Sequence, residues 1–152
     1  MRYRVLGGTG IEVSVHCLGT MMFGSVGNPD HDDCARIIHA ALDQGINFID
    51  TADMYSEGES EEIVGKALRG HRDDVILATK VYFQMGEGRN RGGNSRRWIL
   101  KEVEESLKRL NTDCIDLYQV HRADHSTDIE ETLSVLSDLV HQGKIRAFGC
   151  ST

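Results

Sequence analysis

Beyond residue 15, short β-prone runs alternate with amphipathic helical stretches, and this alternation constrains the fold more than any other feature of the chain. Residues 15–20 read as a strand that ends in Gly19-Thr20-Met21-Met22-Phe23-Gly24. Residues 33–44 read as a helix with Ala35, Ile38, Ala41 and Leu42 on one face, acidic residues at its start and Gly45 as its stop. A strand over residues 46–50 follows. Ser60 then suits the cap of a helix with Glu61 and Glu62 in its first turn and Ile63, Val64, Ala67 and Leu68 as its apolar stripe, ended by Gly70.

Residues 75–80, Val-Ile-Leu-Ala-Thr-Lys, form the nearly continuous apolar run expected of a parallel strand covered on both faces. A Gly-rich loop over residues 86–93 leads to a helix over 96–110 striped by Ile99, Leu100, Val103, Leu107 and Leu110. Residues 114–120 read as another strand. Thr127-Asp128-Ile129-Glu130 reads as a capping box that opens a helix with Leu133, Leu136, Leu139 and Val140 inward, closed by Gly143. A fifth strand over 145–150 precedes Ser151 and Thr152.

Ahead of this series, residues 3–14 read as a β-hairpin around a Gly-rich turn. Gly8-Thr9-Gly10 is not a dinucleotide fingerprint, because the third glycine is missing and no helix follows.

Strands separated by helices demand a parallel sheet with right-handed crossovers. Two architectures satisfy that pattern: a five-stranded doubly wound sheet, for which 152 residues is a natural length, or the first half of a (β/α)₈ barrel, which normally needs about 250 residues. Periodicity does not choose between them.

In either architecture ligands gather at the C-terminal ends of the strands. Asp50, Lys80 and His121 stand at three successive strand ends, and Tyr55 lies in the loop after Asp50. Core packing alone does not put a polar or charged side chain there three times running. Their chemistry is coherent. A phenol is a poor proton donor at neutral pH, and an ammonium beside it favours the phenolate. The ammonium needs a carboxylate in turn, since a lone buried charge is expensive. A histidine can donate a hydrogen bond that orients a carbonyl. The set lacks a nucleophile, so a carbonyl polarised by Tyr55 and His121 would have to receive hydride from a bound nicotinamide.

These stretches resemble the catalytic signatures of the aldo-keto reductases: Phe48-Ile49-Asp50-Thr51-Ala52-Asp53-Met54-Tyr55, Leu77-Ala78-Thr79-Lys80 and Asp116-Leu117-Tyr118-Gln119-Val120-His121. Residues 58–68 are similar to the stretch that follows the tyrosine in that family, and residues 143–151 to its fifth-strand entry. The resemblance runs through essentially the whole chain in the family's order. It implies an α/β fold of the (β/α)₈ TIM-barrel type, here the N-terminal hairpin (about 3–14) plus five parallel strands and four helices (about 15–152), with the hairpin plugging the barrel bottom.

The resemblance also implies an NADPH-dependent oxidoreductase that reduces aldehydes or ketones. Tyr55 would be the general acid, Lys80 and Asp50 its tuning pair, and His121 the substrate-orienting donor. Gly19, Thr20, Met21 and Asp50 would lie at the nicotinamide end of the cofactor, and Ser151 would bond its carboxamide. Many members follow that serine with asparagine, where this chain has Thr152, which would take the place of the second carboxamide contact. In the family the cofactor's adenosine phosphate and pyrophosphate are held by later strands, so the chain is expected to be C-terminally truncated. A barrel stopped at its fifth strand leaves two unpaired edges, and self-association or a missing C-terminal half would cover them.

Other readings compete. Singly, Asp50 suits a turn, Tyr55 an exposed loop, Lys80 a snorkelling strand end and His121 a hydrogen-bonded core histidine; order and spacing together favour catalysis. A strand-end lysine also suits a Schiff-base aldolase. A non-catalytic homologue that binds cofactor or a partner is a third possibility. His121, Asp124 and His125 invite a metal reading, but the intervening residues lie in a loop, so i, i+4 spacing has no geometric meaning there; no metal is expected. His16, His31, His39, His71 and His141 receive no role. The glycines of residues 86–93 lack the lysine and Ser/Thr of a phosphate loop, and either hinge a substrate-covering loop or form a long connection.

A net charge of −7 argues against a nucleic-acid footprint, and the basic group Arg89, Arg91, Arg96, Arg97 and Lys101 suits a solvated loop and helix start. Cys17, Cys34, Cys114 and Cys150 form no C-x-x-C pair, and reduced thiols are expected. With no signal-like or membrane-spanning apolar run, a cytoplasmic setting is the expectation, with a small-molecule carbonyl as the partner.

Overall fold

A computed structural model describes residues 1–151; Thr152, one of the expected cofactor contacts, lies outside the described residues. The hairpin forms as expected, with β1 (Tyr3–Val5) antiparallel to β2 (Glu12–Ser14). It is fastened at the N-terminal ends of the parallel strands. The Ser14 N–H donates to Asn47 Oδ1 at 2.7 Å, and the Tyr3 hydroxyl donates to the Gly45 carbonyl at 2.9 Å.

The remaining strands are β3 (Leu18–Gly19), β4 (Phe48–Asp50), β5 (Ile76–Val81), β6 (Ile115–Val120) and β7 (Ile145–Cys150). All pair in parallel, in the order β3-β4-β5-β6-β7. That order separates the two architectures left open by periodicity and agrees with the barrel that the resemblance implies. A doubly wound sheet reverses direction at a switch point, whereas a barrel adds each strand beside the last. The sheet never reverses: it is part of a (β/α)₈ barrel.

Four helices cover one face of the sheet: α1 (His31–Asp43), α2 (Glu59–Ala67), α3 (Arg96–Leu110) and α4 (Ile129–His141). The apolar core lies between helices and strands. Ile38, Ile63, Val64, Ile99, Val103, Leu136 and Leu139 from the helices meet Ile49, Leu77 and Ile115 from the strands, all essentially solvent-free. Side-chain alternation then decides what faces where. Leu77, Thr79 and Val81 point toward the helices and Lys80 away from them; in register on β6, Tyr118 and Gln119 divide in the same way. Glycine is required where α2 crosses the end of α3, since a Cβ on Gly65 would sit 2.5 Å from the Leu110 backbone.

Several local expectations are corrected. β3 keeps only two residues of the expected six. α1 starts two residues early because Asp30 caps it, its side chain accepting from the Asp32 and Asp33 N–H groups. Ser60 does not cap α2. That helix opens on Gly58 at φ 98°, and the buried Ser60 hydroxyl donates to the Thr20 carbonyl at 2.9 Å. The capping box at α4 does not form either. Asp128 is the cap, bonded by the Glu130 N–H, while the Thr127 hydroxyl turns back to Asp124 at 2.7 Å. Leu133, expected inside, is 46% exposed on α4, and Thr132 takes the inward place. With Ile129 and Phe148 it leaves apolar surface beside β7, the last strand of the sheet.

Candidate active site

On the face away from the helices, the C-terminal ends of β4, β5 and β6 bring the expected residues together. Lys80 is the hub and only 5% exposed. Its ammonium donates to Asp50 Oδ2 at 2.5 Å, to the Thr51 carbonyl at 2.9 Å and to the Tyr55 hydroxyl at 3.2 Å. An ammonium has three protons, and all three have acceptors. The charge is thus buried with a counter-ion and complete hydrogen bonding, the condition under which burial is tolerated. Gln119 donates to the other oxygen of Asp50 at 2.9 Å, so the carboxylate is held from two strands.

His121 follows β6, its N–H bonded to the Val81 carbonyl at 2.9 Å. Its ring meets the Tyr55 ring edge to face, with centroids 5.9 Å apart, and the Phe83 ring likewise at 5.0 Å. Burial, and then the Lys80 charge, hold the imidazole below its ordinary pKa. At neutral pH the ring is therefore neutral, with one N–H to donate.

The expected cofactor-side residues flank this group. Gly19 is the register partner of Asp50, is exposed, and has no atom within 4 Å of the place a Cβ would occupy. Met21 is 56% exposed in the adjoining loop. Thr20 is fully buried, its N–H and hydroxyl both bonded to the Asp50 carbonyl. At the other side Ser151 follows β7, its N–H bonded to the Val120 carbonyl at 2.9 Å. The site is a polar hub at the strand ends, flanked by the rings of Tyr55, His121 and Phe83.

Tyr55 is held by a turn whose next two residues, Ser56 and Glu57, take left-handed backbone angles (φ 49° and 56°). Non-glycine residues adopt that conformation rarely. Here the Ser56 hydroxyl donates to the Phe23 carbonyl at 2.9 Å and accepts from the Val26 N–H at 3.2 Å. Glu59 accepts from the Ser25 N–H at 2.7 Å and pairs with His31 at 2.8 Å, a bond that holds its carboxyl below the usual range. Together they fasten the loop after β3 to the Tyr55 turn.

Sequence reasoning missed Gln119, Phe83, Ser56 and the His31–Glu59 pair. Gln119 was findable, since it shares strand parity with Leu117 and Ala78 with Lys80. The other three depend on long-range loop contacts that leave no local pattern. The metal reading of His121, Asp124 and His125 finds no support: the Asp124 carboxylate is committed to Asn94, Ser126 and Thr127.

Residues 17–152 match the model of the Aldo/keto reductase family. Aldo-keto reductase YhdN of Bacillus subtilis (strain 168) is 50% identical across 99% of this chain and 47% of its own length. Versiconal hemiacetal acetate reductase of Aspergillus parasiticus is 40% identical across the whole of this chain and 51% of its own length. Among solved structures, the holo form of aldo-keto reductase AKR11C1 from Bacillus halodurans superposes with a TM-score of 0.91 at 40% identity, over 99% of this chain and 50% of that one. The chain thus spans about half the length of the relatives it matches. With the strand order, the polar strand ends and these matches in agreement, the chain belongs to the aldo/keto reductase family.

Proposed function

We propose that this chain carries the catalytic half of an NADPH-dependent oxidoreductase that reduces aldehyde or ketone carbonyls to alcohols. The observation that carries the reading is the Lys80 ammonium, bonded at once to the Asp50 carboxylate and the Tyr55 hydroxyl. A nicotinamide, when bound, supplies the hydride. Gly19, Thr20, Met21, Asp50, Ser151 and Thr152 would hold its end of the cofactor, and the exposed, unobstructed Gly19 beside Asp50 fits a flat ring laid against the backbone.

As the carbonyl carbon accepts hydride, its oxygen becomes an alkoxide. The Tyr55 hydroxyl gives its proton to that oxygen, and the Lys80 ammonium stabilises the phenolate left behind. Asp50, braced by Gln119, keeps the ammonium in place. Neutral His121 offers its N–H to the carbonyl oxygen and fixes its direction, and Phe83 fixes the His121 ring. The Schiff-base reading requires a free amine. The three hydrogen bonds of Lys80 count against it.

The chain reads as the N-terminal half of a barrel, with β3 and β7 as its open edges and the apolar strip of Ile129, Leu133 and Phe148 as surface for the remaining strands or for a second copy. None of the described helices is long and apolar enough to cross a membrane.

The test is isotopic. The chain, alone and mixed with the C-terminal half of the Bacillus subtilis relative, is given a small aldehyde and NADPH deuterated at C4 of the nicotinamide. The proposal predicts alcohol carrying deuterium on the former carbonyl carbon. Borohydride trapping of the aldehyde on Lys80, with no deuterium transfer in either mixture, would replace it with the aldolase reading.

A further inference from the structure

The reverse face of the same strands holds a second polar cluster that the proposed reaction does not use. Glu61 of α2, Glu102 and Arg109 of α3, Thr79 of β5, Tyr118 of β6 and Asp53 of the loop after β4 are gathered in the helix–sheet layer. Arg109 is the only cation in it. Its guanidinium donates to Glu61 at 2.6 Å and to Glu102 at 2.5 Å, and the Thr79 hydroxyl donates to the other Glu61 oxygen at 2.5 Å. Asp53 is fully buried and neither of its carboxyl oxygens has a hydrogen-bond partner.

We propose that Asp53 carries a proton in the folded protein and that the Asp53–Glu61–Glu102–Arg109 cluster makes it a positioning residue for Tyr55, two residues away. The inference rests on the reading of Tyr55 as the proton donor.

Charge counting comes first. Three carboxylates around one guanidinium would leave two net negative charges out of water, and desolvated charge of that size is relieved by taking up a proton. Glu61 and Glu102 are bonded to the guanidinium, so Asp53, with no donor, is the group that takes it. Burial above all, then Glu61 and Glu102, push its carboxyl up to about 8. Tyr118 shares the layer with an unpartnered hydroxyl, and burial keeps its proton on. From β5 the layer receives only uncharged side chains, Leu77, Thr79 and Val81, because Lys80 points to the opposite face.

Geometry connects the cluster to the site at three points. The Asp53 N–H donates to the Lys80 carbonyl at 3.2 Å, which ties the turn to the hub strand. Thr79, bonded to Glu61, is the chain neighbour of Lys80. Arg109 packs under the end of the Tyr55 turn so closely that a Cβ on Gly58 would sit 2.7 Å from its Cδ. A charge appearing on Asp53 is met by no hydrogen bond as the residues stand, and drawing in the Met54 N–H or the Tyr118 hydroxyl must move the turn or the sheet beside it. Ionisation of Asp53 therefore loosens Tyr55.

The direction with pH follows from linkage. A carboxyl whose folded value lies above its unfolded value binds its proton more tightly when folded. Its contribution is complete below the unfolded value and is lost as pH rises through about 8. Asp53→Asn mimics the protonated acid and removes this dependence.

The experiment is a carbon-13 titration of the aspartate carboxyls in the chain, with the Asp53 signal identified by its loss in Asp53→Asn. The expected result is a signal that titrates near pH 8 and moves to lower pH in Glu102→Gln, which removes one of the neighbouring charges. Thermal unfolding of the wild type should weaken as pH rises from the ordinary carboxylate range to about 8 and level off above it, and that of Asp53→Asn should not. In any mixture that reduces a carbonyl, kcat of the wild type should fall as pH rises through about 8 with KM steady, and Asp53→Asn should lose that fall. An Asp53 signal already ionised at neutral pH overturns the protonation. A titration near pH 8 with no matching change in kcat overturns the positioning role and leaves Tyr55 as acid untouched. Absence of deuterium transfer would sink the catalytic reading while leaving the titration standing.

Discussion

The two faces of β4, β5 and β6 treat charge in opposite ways. On the inner face one ammonium is shared by a carboxylate, a carbonyl and a phenol, and Asp50 and Tyr55 remain partly open to solvent. On the outer face Glu61 and Glu102 are closed off and locked to Arg109, and Asp53 and Tyr118 are buried away from solvent. Neighbouring residues of one strand, Thr79 and Lys80, serve the two sides. In the proposed reaction, the difference separates a site that exchanges protons with a substrate from a scaffold that holds that site still. The first keeps an exposed acceptor; the second keeps none.

The largest effect on stability should come from breaking the outer face. Arg109→Met leaves Glu61 and Glu102 buried without their cation, and removing one partner of a buried pair costs about 3–5 kcal/mol. Denaturant unfolding reads this directly. The same change on the inner face, Lys80→Met, should cost only about 1–3 kcal/mol, because Asp50 keeps Gln119 and some water, yet it should remove carbonyl reduction. Equal costs at the two positions would erase the contrast between the faces.

Next in size is Gly65→Ala. The added Cβ meets the Leu110 backbone, and overpacking of this kind costs about 1–3 kcal/mol. It should spread α2 from α3 and so disturb the outer cluster before the inner one, visible as earlier loss of the Asp53 titration than of the Lys80 hydrogen bonds in NMR. Smallest are the caps. Asp128→Ala should cost about 1 kcal/mol by thermal unfolding. Thr127→Ala should not act through α4, since its hydroxyl serves the Asp124 loop. Retained protection of the first turn of α4 in Thr127→Ala, but not in Asp128→Ala, would settle which residue caps it.

The inner face was largely legible in the sequence. Asp50, Lys80 and His121 each end an apolar run, and a charged residue that closes a buried strand is visible without coordinates. The sheet order was not legible, because helix and strand periodicity is the same in a doubly wound sheet and in a barrel. Only the resemblance chose between them. Ser60 and Thr127 misled for a common reason: both are good caps by residue type, and both are captured by loop partners distant in sequence, Thr20, or just outside the helix, Asp124. The outer cluster stayed hidden because Glu61 and Glu102 look like the solvated acids of an amphipathic helix, and it takes Arg109, 48 residues from Glu61, to show otherwise.

In the proposed reaction Tyr55 gives the proton to a carbonyl oxygen in a site assembled around Lys80. The most direct measurement is turnover of Tyr55→Phe beside its NADPH affinity, in the mixture that shows deuterium transfer. The variant keeps the ring against His121 and removes only the hydroxyl. Turnover should fall by about 10²–10⁴-fold, the contribution of a positioned general acid, with cofactor affinity unchanged. Wild-type turnover in Tyr55→Phe would mean that Tyr55 is not the proton donor.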